Sequence, residues 1–544
     1  MTRRLIAVLA VLVVVLAACG DATLPFGGSP TPEQPRQVTV HAVSTTGAPV
    51  PDARVTDGAA TATTDEQGVA TIMVMRGTKL KVTASGHDDG SATVPDDGDL
   101  TVKLRPNLVT GTVTDEKGAP LGGVKIFVDG QDSVVRSGDD GTYALPGVPA
   151  TGTIVYKRAG YRLTELPISS QRQDLAMQPF TARALYAPAS VFEGAGRLDA
   201  MLKTIDDTEA NAMVIDVKEG GGNLYYATDL ATARKAGAIM KEPLLHLDTL
   251  LPKLKARGIY TIARMVVMKD STLGSAEPQL AVQNAKTGKP WTDYRGSIWL
   301  DPNQPGVADY IASIARDLAD KGFDEVQLDY VRFFSDGDYS TADTVLPNTQ
   351  SFRLPAIRRL FRIVSGSLAA TKTFLGADVF PISFIAEDDQ GIGQRPEVIM
   401  PYVDYFDPMV YPSHYAPYTW GYADPNEHPY EIISKSLQKM IPEAKGLPMV
   451  IRPWIQDFGF GPYRAYTAAD IHKEMQALAD NEAQGWMIWN AAARFTTSAL
   501  GPPRPGEASA PVTSAPPAPS TSAAPSASAA PSATESATGP TASP

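Results

Sequence analysis

The groups best suited to acid–base chemistry in this chain are carboxylates at the ends of short apolar runs. Phe323-Asp324-Glu325-Val326-Gln327-Leu328-Asp329-Tyr330-Val331-Arg332 is the clearest case. Read as a strand, its two-residue period puts Glu325, Gln327 and Asp329 on one face. Packing alone does not ask for so polar a face, so Asp329 is the first catalytic candidate. Its structural alternative is ion pairing with Arg332 or Arg264. A second run, Asp404 to Tyr415, puts Asp407, Met409 and Tyr411 on one face, with His414 just beyond. Asp378 ends a third run, and Glu387 follows in the next loop. One carboxylate held ionised beside one kept protonated is the pairing that bond cleavage by general acid catalysis needs. Asp329 fits the first role; Asp378, Asp407 and Glu387 are the candidates for the second.

Further run ends carry groups that can hold a ligand. Asp216 and Lys218 close one, Arg264 lies within another, and Arg452, Trp454, Gln456 and Asp457 finish another. Trp489 and Asn490 end the last, and Trp299 comes from a long loop. Lys218, Arg264 and Arg452 can keep a carboxylate ionised beside a second one, and Lys218 can instead orient an acidic group on the substrate. With Arg332, Tyr411 and His414, these residues are expected to line a polar pocket floored by aromatic rings, which suits sugars. No cofactor or metal is expected. HExxH is missing, the six histidines are scattered, and Asp336 to Ser340 lacks the glycine and terminal glutamate of a calcium loop. A Gly-x-Ser-x-Gly nucleophile turn is also missing.

Such residues need a scaffold that gathers strand ends. From Thr181 onward, eight short apolar runs alternate with amphipathic stretches: Ala184–Ala187, Ala212–Val217, Tyr260–Val266, Glu325–Asp329, Thr373–Val379, Tyr405–Tyr411, Met449–Trp454 and Gly485–Asn490. Leu244 to Ala256, Val307 to Leu318 and Tyr466 to Leu478 carry their apolar residues at helical spacing. The expected fold of residues 182–500 is therefore an α/β (β/α)8 TIM barrel, whose working groups gather at the C-terminal ends of the strands. No glycine-rich phosphate loop follows an early strand, which disfavours a doubly wound open sheet.

The stretches Gly-Phe-Asp-Glu-Val-Gln-Leu-Asp-Tyr-Val-Arg-Phe, Pro-Met-Val-Tyr-Pro-Ser-His-Tyr and Gly-Trp-Met-Ile-Trp-Asn-Ala resemble a glycosyl hydrolase barrel family long catalogued without an assigned function. The resemblance spans about residues 183–495 and implies the barrel fold and a glycosidase acting on an unassigned polysaccharide. A non-catalytic polysaccharide-binding barrel is the alternative. A more distant likeness is to family 18 chitinases, whose fourth-strand motif ends in a catalytic glutamate two residues after an aspartate. Here that position is Val331, so the chitinase mechanism is not carried over.

The rest of the chain is expected to be modular. Arg3 and Arg4, the apolar run Leu5 to Leu16, and Leu16-Ala17-Ala18-Cys19 resemble a lipoprotein signal (1–18) with lipid on Cys19, the only cysteine. This implies an exported, membrane-anchored protein of the cell envelope. A linker (19–36) precedes two all-β sandwich repeats, 37–105 and 106–179, the second resembling carboxypeptidase-regulatory domains. Gly47-Ala48-Pro49-Val50 returns as Gly118-Ala119-Pro120-Leu121, and Asp65-Glu66-Gln67-Gly68 as Asp139-Asp140-Gly141. Residues 501–544 are almost wholly Pro, Ala, Ser, Thr and Gly, a composition read as a disordered tail. The formal net charge of −12 argues against a nucleic-acid partner, and a monomer is expected.

Overall fold

The computed structural model describes residues 33–504, apart from 195, 462 and 463, together with Val512–Thr513. The expected signal segment, most of the linker and nearly all of the tail lie outside the described residues. The chain divides into two compact units, with the boundary between Pro106 and Asn107.

The first unit is a β-sandwich. Strands Arg36–Ser44, Val69–Val74 and Leu100–Leu104 form one sheet; Arg54–Thr56, Thr61–Thr63, Lys79–Thr83 and Gly90–Thr93 form the other. Alternate residues Val38, Val40 and Ala42 meet Val55, Leu80 and Val82 in its core. The second unit opens with a second sandwich built by the same rule. The repeated turn explains the sequence repeat. Gly68 and Gly141 both have positive φ, and a Cβ on either would meet a carbonyl oxygen, Ala42 O at 2.5 Å or Val113 O at 2.3 Å. Only glycine lets the backbone pass so close.

The barrel follows. Its strands are β1 (Arg183–Ala187), β2 (Ala212–Lys218), β3 (Tyr260–Val266), β4 (Glu325–Asp329), β5 (Phe374–Val379), β6 (Tyr405–Pro408), β7 in two pieces (Val450–Ile451 and Trp454–Gln456), and β8 (Trp486–Trp489). All neighbours are parallel. The first piece of β7 pairs with β6 and the second with β8, so the sheet closes on itself. The break falls at Arg452-Pro453, where proline has no N–H to offer the ladder. The expected strand Tyr405–Tyr411 likewise stops at Pro408. Helices α1 (Arg197–Asp206), α2 (Leu247–Lys255), α3 (Pro305–Lys321), α4 (Gln350–Ser367), α5 (Pro429–Ala444) and α6 (Ala468–Asp480) cover the outside. Alternation sorts the strand side chains. Leu185, Met213, Ala263, Val326 and Leu328 face the helices, while Tyr186, Val214, Ile262 and Met487 face inward.

The second sandwich docks against the N-terminal ends of the strands through lysines. Lys125 pairs with Asp404, just before β6, at 2.7 Å with both side chains nearly sealed from solvent. Burial raises the Asp404 pKa, but Lys125 and Lys157 outweigh it and hold the carboxyl below its usual range. Lys157 Nζ donates to the carbonyls of Leu368, Thr371 and Thr373 at 3.2, 2.8 and 2.7 Å, one acceptor for each ammonium hydrogen. Removing one partner of a buried pair strands the other charge. Lys125→Met is therefore expected to lower unfolding stability by about 3–5 kcal/mol, read from chemical denaturation, and adding Asp404→Asn should restore part of the loss.

Candidate functional site

The opposite end of the barrel holds a cavity of about 720 Å³. Its floor comes from strand ends: Arg264 (β3), Asp329 (β4), Asp378 (β5), Trp454 (β7) and Trp489 (β8). Its walls come from the following loops and include Arg332, Phe380, Tyr411 and His414.

Arg264 organises the floor. Its Nε donates to Asp329 Oδ2 at 3.1 Å, and its Nη2 donates to the same oxygen. Nη1 donates to Asp216 Oδ1 at 2.5 Å. Asp216 also accepts from the Tyr186 hydroxyl and is wholly buried behind the arginine. Asp329 Oδ1 accepts from the Tyr330 backbone N–H at 2.6 Å. Tyr330 has φ +53, a left-handed conformation rare outside glycine and common where a site fixes the backbone. Asp378 approaches Arg264 Nε only to 3.9 Å and accepts from Trp454 Nε1 at 2.6 Å. Burial, with Asp329 and then Asp407 nearby, pushes the Asp378 carboxyl well above its usual range, against the pull of Arg264 and the indole N–H. One acid is thus gripped by a cation while its neighbour resists ionisation. Trp489 stacks on Tyr186 with ring centroids 3.9 Å apart and stands edge-on to Trp454. Burial pushes the His414 imidazole below its ordinary pKa, so it is neutral at pH 7.

Eight of the sequence candidates line this cavity: Asp329, Asp378, Arg264, Arg332, Tyr411, His414, Trp454 and Trp489. The others lie elsewhere. Asp407 is wholly buried one layer below, accepting from Arg452 at 3.1 Å and from Gln327 at 2.9 Å. Arg452 belongs to that layer too and reaches Glu325 as well. Glu387 is exposed and off the cavity wall. Lys218 faces away from the barrel interior: a bulge between Asp216 and Lys218 inverts the alternation, and its Nζ pairs with Asp270 at 2.9 Å. Trp299 is buried behind Arg332, with its indole N–H on Asp293. Gln456 braces Ser413, Asp457 holds Thr496, and Asn490 caps its own turn through the carbonyls of Asp457 and Arg494.

Sequence reasoning missed Tyr186, Phe380, Phe458 and Phe460. Tyr186 was legible as the penultimate residue of the first run, and the pair Phe458 and Phe460 as aromatics straight after the seventh. Phe380 carries no signal beyond following Asp378 and Val379. Among the described residues, no cluster of His, Cys, Asp and Glu could hold a metal ion.

A closed (β/α)8 barrel with paired acids and an aromatic floor at its C-terminal mouth has the form of a glycosidase. Residues 184–495 match the family described as Putative glycosyl hydrolase domain, and residues 108–178 the family described as Carboxypeptidase regulatory-like domain. The first match covers more than half of the chain; the chain belongs to that family and is a glycoside hydrolase. Among solved structures, a hypothetical protein from Ruminiclostridium thermocellum is 29% identical, over 36% of this chain and 97% of that one, with TM-score 0.32. The PgaB (BpsB) glycoside hydrolase domain from Bordetella bronchiseptica is 15% identical, over 59% and 99%, with TM-score 0.44. A class V chitinase from Pseudomonas fluorescens is 12% identical, over 59% and 98%, with TM-score 0.37. No curated protein matches the chain.

The environment of Asp378 has a measurable consequence. A carboxyl whose folded pKa exceeds its unfolded value lowers stability progressively as pH rises above the unfolded value. Asp378→Asn is therefore expected to unfold at higher denaturant concentration than the wild type at pH 7, with the difference vanishing towards pH 4. An equal or lower midpoint at pH 7 would contradict the assigned direction.

Proposed function

We propose that this enzyme cleaves a polysaccharide with Asp329 as the ionised carboxylate and Asp378 as the proton donor. The observation that carries the reading is the contrast at one guanidinium: Arg264 directs two N–H groups at Asp329 and only a 3.9 Å contact at Asp378. Asp378 gives its proton to the glycosidic oxygen as the bond from that oxygen to the anomeric carbon breaks. The carboxylate of Asp329 meets the positive charge that develops on the sugar, as nucleophile or as electrostatic partner. The oxygen of a water molecule then bonds to the anomeric carbon, displacing Asp329 where an ester has formed, and the proton that water loses restores Asp378. Arg264 holds Asp329 in place, Trp454 orients Asp378, and Trp489, stacked on Tyr186, offers a flat apolar face to a sugar ring. Asp407 and Glu387 are set aside as donors because one is consumed by Arg452 below the floor and the other points to solvent.

The two roles separate by leaving group. An aryl glycoside with a good leaving group departs without a proton. Asp378→Asn is expected to lose about 10²–10⁴-fold in kcat on a polysaccharide but far less on a dinitrophenyl glycoside. Asp329→Asn should lose comparable activity on both. Full polysaccharide activity in Asp329→Asn sinks this mechanism, and the first-formed anomer, read by NMR, tells retention from inversion.

The same proposal places the enzyme outside the cytoplasm, anchored by lipid on Cys19. Its support is the charged start, the short apolar run and the placement of the only cysteine. Among the described residues no helix is long and apolar enough to cross a membrane. The native protein is expected to label with radioactive palmitate and to partition into detergent, and Cys19→Ser to do neither. Labelling that survives the substitution removes the anchor.

A further inference from the structure

Arginines buried in this barrel come with carboxylates. Arg264 holds Asp216 and Asp329, Arg452 holds Glu325 and Asp407, and Arg353 clamps Asp389 with two bonds of 2.6 and 2.7 Å. Arg332 is different. It is only 4% exposed, yet among the described residues no carboxylate lies within ion-pair distance of it. Three aromatic rings pack around its guanidinium instead, with centroids 4.8 Å (Trp299), 5.1 Å (Tyr330) and 4.9 Å (Phe380) from its carbon. Nη1 donates to Phe333 O at 3.2 Å and to Ser335 Oγ at 2.8 Å, and Ser335 passes the contact on to Asp336 at 2.6 Å. Nε and Nη2 have no acceptor among the described residues, and neither is sealed inside protein. They form the guanidinium edge that matches the two oxygens of a carboxylate, held in plane by the surrounding rings. Arg332 lines the cavity, three residues after Asp329.

From this geometry we infer that the cavity accepts a sugar bearing a carboxylate, a uronic acid, with Arg332 as its receptor. The inference rests on the glycosidase reading of the same cavity. A largely buried guanidinium that reaches a carboxylate only through Ser335 leaves its Nε–Nη2 edge open, and a ligand carboxylate supplies a direct partner. The aromatic rings hold the fork rigid, so little side-chain freedom is lost on binding. This is the acidic-group contact that the sequence suggested for Lys218, moved to a residue that the fold leaves unmatched.

The test is binding of oligogalacturonate and oligoglucuronate to the full chain carrying Asp378→Asn, which keeps the ligands intact. Their methyl esters, carboxyl-reduced counterparts and sulfated neutral oligosaccharides serve as comparisons. At least one uronate is expected to bind tenfold or more tightly than its ester and its reduced form. Arg332→Met should erase the preference, and Arg332→Lys, a point charge without the fork, should keep part of it. The ester comparison needs no change at Arg332, so it stands even if Arg332→Met does not fold. Equal binding of acid and ester, binding of the sulfated sugars alone, or no binding of either uronate overturns the inference. Hydrolysis by the wild-type chain is scored separately. Cleavage of neutral oligosaccharides only leaves the glycosidase reading standing without the uronate, whereas selective uronate binding with no cleavage of any oligosaccharide does the reverse.

Discussion

Charge buried inside a closed barrel has to be matched locally, because little water reaches it, and this barrel does so with two stacked arginines. Arg452 occupies the lower level between Glu325 and Asp407, and Arg264 the upper level between Asp216 and Asp329. Space for the lower level is made by Gly376 on β5, where a Cβ would sit 2.5 Å from Glu325 Oε1 and 2.8 Å from Asp407 Oδ2. The two levels communicate. Asp407 accepts from Arg452 and Gln327, yet it also adds to the pressure that keeps Asp378 protonated. The buried layer beneath the floor thus shifts the Asp378 carboxyl above it without touching the cavity.

The two ends of the barrel have different tasks. At the N-terminal end, the second sandwich docks through lysines that find carboxylates and backbone carbonyls. At the C-terminal end, loops supply the cavity walls. This is the division expected of the fold, stability at one face and chemistry at the other. It also gives the second sandwich a definite role as a plate that covers strand ends whose groups would otherwise need water.

Much of this was legible from residue order. Eight apolar runs with intervening helical spacing specified the barrel, because strand and helix periods differ enough to be read without contacts. Asp329 and Asp378 stood out because a carboxylate at the end of an apolar run has few structural excuses. Legibility ended where the outcome depended on neighbours far away in the chain. Asp407 and Arg452 look like site residues by position, but they satisfy one another below the floor. Lys218 is turned outward by a single extra residue, and no local pattern announces a bulge. Trp299 is an aromatic in the right loop that ends up one layer back, supporting Arg332. Alternation gives direction, whereas depth along the barrel axis comes only from the shear of the closed sheet.

The split in β7 marks where the ring passes from one neighbour to the other. Val450–Ile451 pairs with β6 and Trp454–Gln456 with β8, and across the break the Arg452 N–H donates to Phe406 O at 3.0 Å while Pro453 O accepts from the Met487 N–H at 2.9 Å. Trp454 is the first residue past that break, and its indole is the hydrogen bond that restrains Asp378. The crossing point of the hoop therefore adjoins the indole that holds the Asp378 carboxyl. Because that indole N–H pulls the carboxyl's pKa down, the path of β7 and the proton affinity of Asp378 are linked through a single side chain.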